Sequence, residues 1–415
     1  MPRGIGDIPE LRLRTMTRFI EKFKSPPELV LSNLFGSTDS VSSSIKWESQ
    51  EGSRGMAPFS PPGAPAQQTS PHGIAQHIAE AAFWKEKMYF DEEFLNNLRK
   101  EGTESEYLAA RKRLSREMGG LVNRNLRRKE WMFAKMMFEN GFAYSTKGGT
   151  KITIDYGIPT ANIVSLSANY KWSTGTSRDI LGDIIDGKRV ISEACGGKAN
   201  FAICNSYILE YIAQDPAILT LLQKSTFGQG DLFSGNRNSI VGVNPRVLGS
   251  LLDIDNFMIY DELFEARAWL TAVVTGGSTV AVSVDDASDF VAGGTLTFHD
   301  VSAGTTEGET ISSVDEQAGT VTVSTAPTAS FRASEDYVSM VKRFVPDTLF
   351  TMFASTVEGQ TIAEYFRAPY SIPRTYGLKT DSKEEWDPEG VWIRAQDKGL
   401  PVLYNRDAVY NLTVA

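Results

Sequence analysis

The segment GSRGMAPFSPPGAPAQQTSPHG, residues 52–73, most strongly limits the folds open to this chain, because it contains five prolines and four glycines. Proline removes a backbone donor and glycine weakens regular structure, so neither a helix nor a central strand can continue through it. Regularly patterned sequence lies on both sides. The segment is therefore either a flexible linker between domains or an extended arm that is ordered only when another surface holds it.

The chain has 415 residues, which is long enough for two or three domains with a large core. It has no window that approaches 18 consecutive apolar residues, and its first residues have scattered charges, so we expect neither a transmembrane helix nor a secretory signal. Two cysteines, Cys195 and Cys204, are too few for a disulfide framework. We expect both to be reduced, buried thiols of a cytoplasmic product.

Charge is unevenly distributed, although the net charge is −9. The span 268–331 contains no lysine or arginine, and its short Thr/Val-rich runs alternate with glycine turns, which predicts a separate, small all-β module. Such acidity argues against a simple nucleic-acid binder, which should be basic. The eight acidic residues of this span are Asp285, Asp286, Asp289, Asp300, Glu307, Glu309, Asp315 and Glu316.

A long helix is predicted from about residue 104 to residue 140. Thr103 and Glu106 form a capping-box pattern, and Gly141 stands where a C-terminal glycine is common. Gly119 and Gly120 interrupt the pattern, but apolar residues keep the helical period across them. We therefore expect a bend at this point rather than a break.

Shorter elements flank this helix. SPPELVLSNLFG predicts a helix with Ser25 as the cap, Pro26 in the first turn and Gly36 as a left-handed stop. SSSIKWESQEG (42–52) predicts a strand, and 142–157 predicts a hairpin around Gly148 and Gly149.

An α/β pattern begins at Arg178. It predicts, in order, a helix in DILGDIIDGKRVISEACG, a strand in ANFAIC, helices around SYILEYI and AILTLLQ, and a strand at the start of NFMIYDELF. The final stretch, VWIRAQDKGLPVLYNRDAVYNLTVA, predicts paired strands.

Catalytic patterns are weak throughout. Three histidines cannot supply a multi-histidine metal site. GDIIDGKR (182–189) resembles a phosphate-binding loop, but Arg189 replaces the final Ser or Thr and the segment has a helical pattern. Cys195 has no histidine nearby in sequence. We therefore predict no catalytic, cofactor-binding or metal-binding residues, and no enzymatic activity.

A run of basic residues lies along the predicted long helix, with Glu117 as the nearby acid. It is compatible with a solvated face, with salt bridges to a neighbouring subunit, or with loose phosphate contacts. The run consists of Arg111, Lys112, Arg113, Arg116, Arg124, Arg127, Arg128 and Lys129.

Taken in order, several stretches resemble the major capsid proteins of tailed bacteriophages, of the lambda-type major capsid protein E family. The order of the stretches, rather than any one of them, gives this resemblance, which covers most of the chain outside 268–335. The stretches are SPPELVLSNLFGS, IKWESQEGSRGMAPFSPPGAP, RLSREMGGLVNRNLRRKEWMFAKMMFENG, YKWSTGTSRDILGDI and GLPVLYNRDAVYNLTVA.

The resemblance implies an α+β, HK97-like capsid fold with an N-terminal arm, an E-loop, a long spine helix, an axial α/β domain and a small all-β insertion domain. The Pro/Gly segment would then be the E-loop, a two-stranded arm that lies across the adjacent subunit. The implied domains are the N-terminal arm (1–43), E-loop (44–80), peripheral domain (81–170), axial domain (171–267 and 336–385), acidic insertion (268–335) and C-terminal strands of the peripheral domain (386–415).

The implied function is self-assembly into the icosahedral shell that encloses the double-stranded DNA genome of a tailed phage. Hexamers and pentamers of this chain would form the virion capsid, assembled in the host cytoplasm. Portal, scaffolding or decoration proteins and non-specifically held DNA would be its partners, with no membrane and no cofactor. The predicted inter-subunit residues are Trp47, Arg54, Phe59, Arg111, Arg113, Arg124, Arg127 and Arg128.

Three alternatives remain open at this point. An encapsulin-like compartment has the same fold and encloses cargo enzymes. An enzyme with an appended β module would need a defined pocket with perturbed titratable groups. The Thr/Val-rich insertion alone would also suit a tail or adhesin protein.

Overall fold

A computed structural model of the chain describes residues 29–50, 56, 59, 74–94, 104–145, 151–174, 176–224, 232, 243–387 and 389–415. The chain divides into two compact units. Unit 1 comprises residues 1–140, 156–260 and 348–415, and unit 2 comprises residues 141–155 and 261–347.

The helices of unit 1 are dominated by one long element, which confirms the helix predicted over about 104–140. Its 35 residues run through Gly119 and Gly120 without a break, for about 50 Å. The helices are α1 (Leu31–Leu34), α2 (Glu104–Phe138), α3 (Ile180–Cys195), α4 (Ser206–Ala213), α5 (Pro216–Lys224) and α6 (Pro245–Leu251).

The C-terminal end of α2 differs from the sequence prediction. Asn140, not Gly141, adopts the left-handed conformation, with φ of 60°. Its carbonyl accepts a hydrogen bond from the backbone N–H of Tyr156 at 3.1 Å, and its side-chain Oδ1 accepts one from Ile158 at 2.7 Å. Asparagine can terminate a helix in this way because its short polar side chain tolerates the left-handed region and bonds locally.

Helix α1 is much shorter than its predicted capping and stop residues indicate. The predicted cap Ser25 and first-turn residue Pro26 lie outside the described residues. The predicted left-handed stop at Gly36 is wrong, because the helix ends at Leu34 and Phe35 is already extended, with φ of −102° and ψ of 145°. The chain then continues directly into a strand at Ser37.

Local capping explains why the α/β helices were predictable. Asp179 accepts a hydrogen bond from the N–H of Gly182 at 2.9 Å at the start of α3, and Gly196 ends the helix with φ of 73°. Asn205 caps α4 by accepting from Ile208 at 3.0 Å. These interactions satisfy amide groups that a helix leaves unpaired at its N-terminus.

Among the described residues of unit 1, the strands form two five-stranded sheets and two strand pairs. They are β1 (Ser37–Asp39), β2 (Ser44–Gln50), β3 (Ile74–Glu80), β4 (Ala82–Asp91), β7 (Ile163–Ser165), β8 (Phe201–Cys204), β9 (Asn256–Ile259), β16 (Leu349–Phe353), β17 (Thr356–Val357), β18 (Gln360–Thr361), β19 (Ala363–Arg367), β20 (Lys379–Trp386), β21 (Glu389–Leu403) and β22 (Val409–Thr413).

One sheet has the order β1-β19-β21-β20, with β4 also paired to β21, and α2 packs on it. The other sheet has the order β7-β22-β16-β8-β9. The C-terminal stretch therefore does form strands, but β21 and β22 pair with distant partners and belong to different sheets. The prediction places all of 386–415 in one domain, whereas the pairing divides this stretch between two sheets. Strand β21 lies in the sheet with α2, and β22 runs antiparallel to β16 in the other sheet along all five of its residues.

Unit 2 is built on a six-stranded sheet of order β10-β15-β12-β13-β14-β11, together with the hairpin β5-β6. This unit is wider than the predicted 268–335 insertion because β10 and β15 pair along seven residues and are integral to its sheet. Its core contains Phe290, Phe298 and Phe331. Its strands are β5 (Gly141–Ser145), β6 (Lys151–Asp155), β10 (Leu263–Trp269), β11 (Ala281–Ser283), β12 (Thr295–Asp300), β13 (Thr305–Asp315), β14 (Thr320–Val323) and β15 (Tyr337–Arg343).

Candidate functional site

The arm, defined here as residues 44–80, begins as the antiparallel pair β2-β3, in register from Ser44 opposite Glu80 to Gln50 opposite Ile74. Trp47 is 5% exposed and stacks on His77, with ring centroids 5.3 Å apart. Its ring also lies 6.3 Å from that of Tyr156. Trp47 therefore fixes the base of the arm to its own chain, which leaves little of its surface for the neighbour that the sequence prediction assigned to it.

The far part of the arm carries apolar side chains in solvent. Phe59 is fully exposed and Met56 is 93% exposed. Arg54, the third predicted interface residue of this region, lies outside the described residues. Large apolar groups with complete exposure gain about 1.5–3 kcal/mol each on burial, so they are the side chains most able to stabilise contact with another surface.

The arginines of α2 mostly contact their own chain. Arg124 forms an ion pair with Glu86 at 2.5 Å. The guanidinium of Arg113 lies 5.2 Å from the ring centroid of Phe94, and that of Arg128 lies 4.9 Å from Trp131. The side chain of Arg111 lies outside the described residues, and Arg127 also has interactions within the chain. The geometry thus accounts for Arg113, Arg124 and Arg128 without a neighbour, and an inter-subunit role for the run stays a prediction.

Glu130 is a buried acid that the sequence reasoning overlooked when it took Glu117 as the acid of this run. It has no exposed surface, and its carboxylate accepts hydrogen bonds from the N–H groups of Leu31 at 2.8 Å and Ser32 at 2.7 Å, and from the hydroxyl of Tyr260 at 2.7 Å. Glu130 therefore joins α1 and the end of β9 to the long helix. An acid directly before the apolar run WMFAKMMF was the available signal.

A second group of charges lies where α2 meets β21. The Lys129 ammonium is 4.3 Å from the ring centroid of Tyr365, and burial lowers the pKa of Lys129, opposed by the charge of Asp397. Asp397 is 6% exposed, and burial raises its pKa to about 6. The backbone N–H of Lys398 donates to its Oδ1 at 2.7 Å, and the charges of Lys129 and Arg367 also oppose this rise. These side chains lie at the contact between the helix and the sheet.

The motifs considered for catalysis occupy structural positions. Residues 182–189 lie inside α3, where a Cβ on Gly187 would come within 2.3 Å of Met352, so this stretch forms no phosphate-binding loop. Cys195 and Cys204 are buried, as predicted, and the Cys195 Sγ bonds to the carbonyl of Ile191 at 3.2 Å.

Within the described residues, no group of three or more His, Cys, Asp and Glu side chains is arranged to hold a metal ion. The helices in those same parts of the chain include none that is both long and apolar enough to span a bilayer.

Comparison with solved structures defines the class of fold. The chain is similar to a putative capsid protein of a prophage of E. coli CFT073, with a TM-score of 0.51 and 12% identity, covering 98% of this chain and 99% of that one. It is equally similar to a phage-related protein from Bordetella bronchiseptica RB50, with a TM-score of 0.51, 8% identity and 97% coverage of both chains. The fold is thus an HK97-like capsid fold, as the resemblance implied.

The sequence profile of phage major capsid protein E matches residues 12–266. The chain therefore belongs to the phage major capsid protein E family and is a shell-forming structural protein of the virion capsid. A comparison with curated proteins finds no match.

Proposed function

We propose that many copies of this chain, arranged as hexamers and pentamers, close an icosahedral shell around the double-stranded DNA genome of a tailed phage. The shell assembles in the host cytoplasm, with a portal and with scaffolding or decoration proteins as further partners. The chain itself performs no catalysis. The peripheral domain is the sheet of β1, β19, β21, β20 and β4 with α2. The axial domain is the sheet of β7, β22, β16, β8 and β9 with its helices, and unit 2 decorates the outer surface.

The exposure of Phe59 and Met56 on an arm whose base is fixed by Trp47 is the observation that supports this proposal most directly. A folded chain gains nothing from apolar side chains held in water, whereas an adjacent copy would bury them. Prolines in the arm reduce the conformational entropy lost on docking. Each subunit meets several neighbours, so modest contacts add up to a stable lattice.

Deletion of residues 54–70 tests the role of the arm. We expect a soluble, folded chain that forms no shells, observed by negative-stain electron microscopy and sedimentation velocity. Normal particles from this deletion would contradict the proposal. Nucleic acid rather than cargo protein inside wild-type particles would separate a phage capsid from an encapsulin-like compartment.

Point variants refine the same test. Phe59→Ser should weaken assembly strongly, because the described part of the arm loses its largest exposed apolar side chain. Ile372→Ser is the matched control, since Ile372 is equally exposed but lies outside the arm. Equal loss of particles in both variants would mean that the arm has no special role.

A further inference from the structure

The sheet formed by β4, β21 and β20 has one face covered by the long helix. Phe90, Val391 and Ile393 lie on that face and pack with Leu114 and Met118 of α2. Because successive residues of a strand point to opposite faces, the residues between them lie on the face turned away from the helix.

That second face is strongly basic. Strand β21 lies between β4 and β20, and the register forms rows across the three strands. The rows are Lys85–Gln396–Lys379, Lys87–Arg394–Asp381 and Tyr89–Trp392–Lys383, and Phe83 lies opposite Lys398. These four rows contain one acid, and a fifth row at the hairpin end adds Asp91 and Glu385. The basic sheet face, as we name it, consists of Lys85, Lys87, Lys379, Lys383, Arg394 and Lys398.

The arrangement is unfavourable for the isolated chain. Lys87 lies directly opposite Arg394, and like charges in that position destabilise a sheet. Arg394 and Lys379 share one carboxylate, Asp381, at 2.9 and 3.1 Å. Lys85 and Lys87 have no carboxylate within 4 Å among the described residues. Lys383 lies 4.0 Å from Glu385. A chain with net charge −9 thus places Lys85 and Lys87 together on one surface without a paired carboxylate.

Aromatic rings hold some of these cations in place. The Lys87 ammonium lies 3.8 Å from the ring centroid of Trp392, and the Lys85 ammonium lies 5.7 Å from that of Phe83. Tyr89 packs on Trp392 with centroids 4.9 Å apart. Lysines on strands, supported by rings, lose less side-chain entropy when they bind an anion than freely moving lysines do.

We infer that the basic sheet face binds the phosphate backbone of double-stranded DNA without sequence preference, an inference that rests on the proposed enclosure of a DNA genome. Duplex DNA carries one negative charge per about 1.7 Å of its axis, so a flat surface of cations meets several phosphates in any orientation. Non-specific contacts of this kind have Kd values of about 10⁻⁴ to 10⁻⁶ M at physiological salt, weak enough for DNA to move past each subunit.

The test uses the full-length chain and a fluorescein-labelled mixed-sequence duplex of about 30 base pairs, with binding measured by anisotropy between about 50 and 200 mM NaCl. The variant is Lys85→Glu with Lys87→Glu and Lys383→Glu. We expect binding at about 50 mM salt to weaken at least tenfold and the slope of log K against log salt to fall in magnitude by about three. The matched control makes the same charge change at Lys171, Lys198 and Lys224, which lie outside this face and outside the basic run of α2.

A glutamine version of the same triple variant checks that the loss comes from missing cations rather than from altered folding, and it should reduce the slope similarly. Absence of duplex binding by the wild type, an unchanged slope in the triple variant, or equal loss in the control would overturn the inference. Salt-sensitive association between copies of the chain that the triple variant loses, while the variant still binds DNA, would also overturn the inference. The basic sheet face would then bind an acidic protein surface instead of DNA.

Electron microscopy of the same samples separates this inference from the proposed function. Variant shells of normal form that have lost DNA binding support the inference. A wild type that forms shells but whose unassembled chain binds no duplex refutes the inference and leaves shell formation intact, whereas a wild type that forms no shells refutes the proposed function itself.

Discussion

Replacement of Asp397 by asparagine should stabilise this protein at neutral pH. Asp397 lies within β21, is 6% exposed, and has a pKa of about 6 against an ordinary value of 3.8, chiefly because burial disfavours the ionised form. A rise of about two pKa units corresponds to about 3 kcal/mol between the two protonation states. Asparagine removes the charge and keeps an oxygen that can accept from the N–H of Lys398.

The sign follows from proton binding. The native state holds the Asp397 proton more tightly than the unfolded chain does, so this group contributes its full stability below about pH 4 and loses it as pH rises through about 6. The Asp397→Asn variant should therefore be more stable than wild type by up to about 3 kcal/mol near pH 7.5. The difference should approach zero near pH 4.

Urea unfolding followed by far-UV circular dichroism, at one protein concentration and several pH values, measures this difference. Asp381→Asn is the matched control on the neighbouring strand. Burial raises the pKa of Asp381, but hydrogen bonds from Arg394 and Lys379 outweigh it, and the net pKa is lowered. Its replacement should cost stability near neutral pH. An Asp397→Asn variant that is less stable than wild type there, or a difference that does not change with pH, would refute the reasoning.

Two further pairs of substitutions test how the helices pack. Glu130→Ala leaves two buried amides and the Tyr260 hydroxyl without their acceptor, so it should lower the free energy of unfolding by about 3–5 kcal/mol. Tyr260→Phe removes one of these hydrogen bonds and should lower it by about 1 kcal/mol. Equal effects of the two variants in urea unfolding would contradict this account. Gly120→Ala should raise stability by about 1 kcal/mol, since nothing lies within 4 Å of the added Cβ, while Gly187→Ala should destabilise because Met352 and Tyr410 occupy that space. A stability loss for Gly120→Ala would contradict the continuous helix.

Local signals account for what could be predicted of the fold. The long helix, the hairpin 141–155 and the helix that begins after Asp179 each depend on residues within a few positions of one another, and all are confirmed. A left-handed residue at the end of the helix was also predictable, but its position was not. Asparagine can adopt the same conformation, and Asn140 rather than the predicted Gly141 does so.

Long-range pairing accounts for what could not be predicted. Strand β4 pairs with β21 across about three hundred residues, and only that register brings Lys87 opposite Arg394. Glu130 was missed for the same reason, since its partners Leu31 and Tyr260 are far away in sequence. For the predicted interface, sequence gave no means of knowing that Trp47 would find His77 and Tyr156 within its own chain.

The strands that open and close the long segment of unit 2 are hydrogen-bonded neighbours, with Leu263 opposite Arg343. Adjacent strands lie about 4.8 Å apart, so the two ends of the segment 263–343 are separated by about this distance. Any other domain whose two ends lie side by side has the geometry to replace this segment, which makes it a natural position for related chains to exchange inserted domains or for a foreign domain to be introduced.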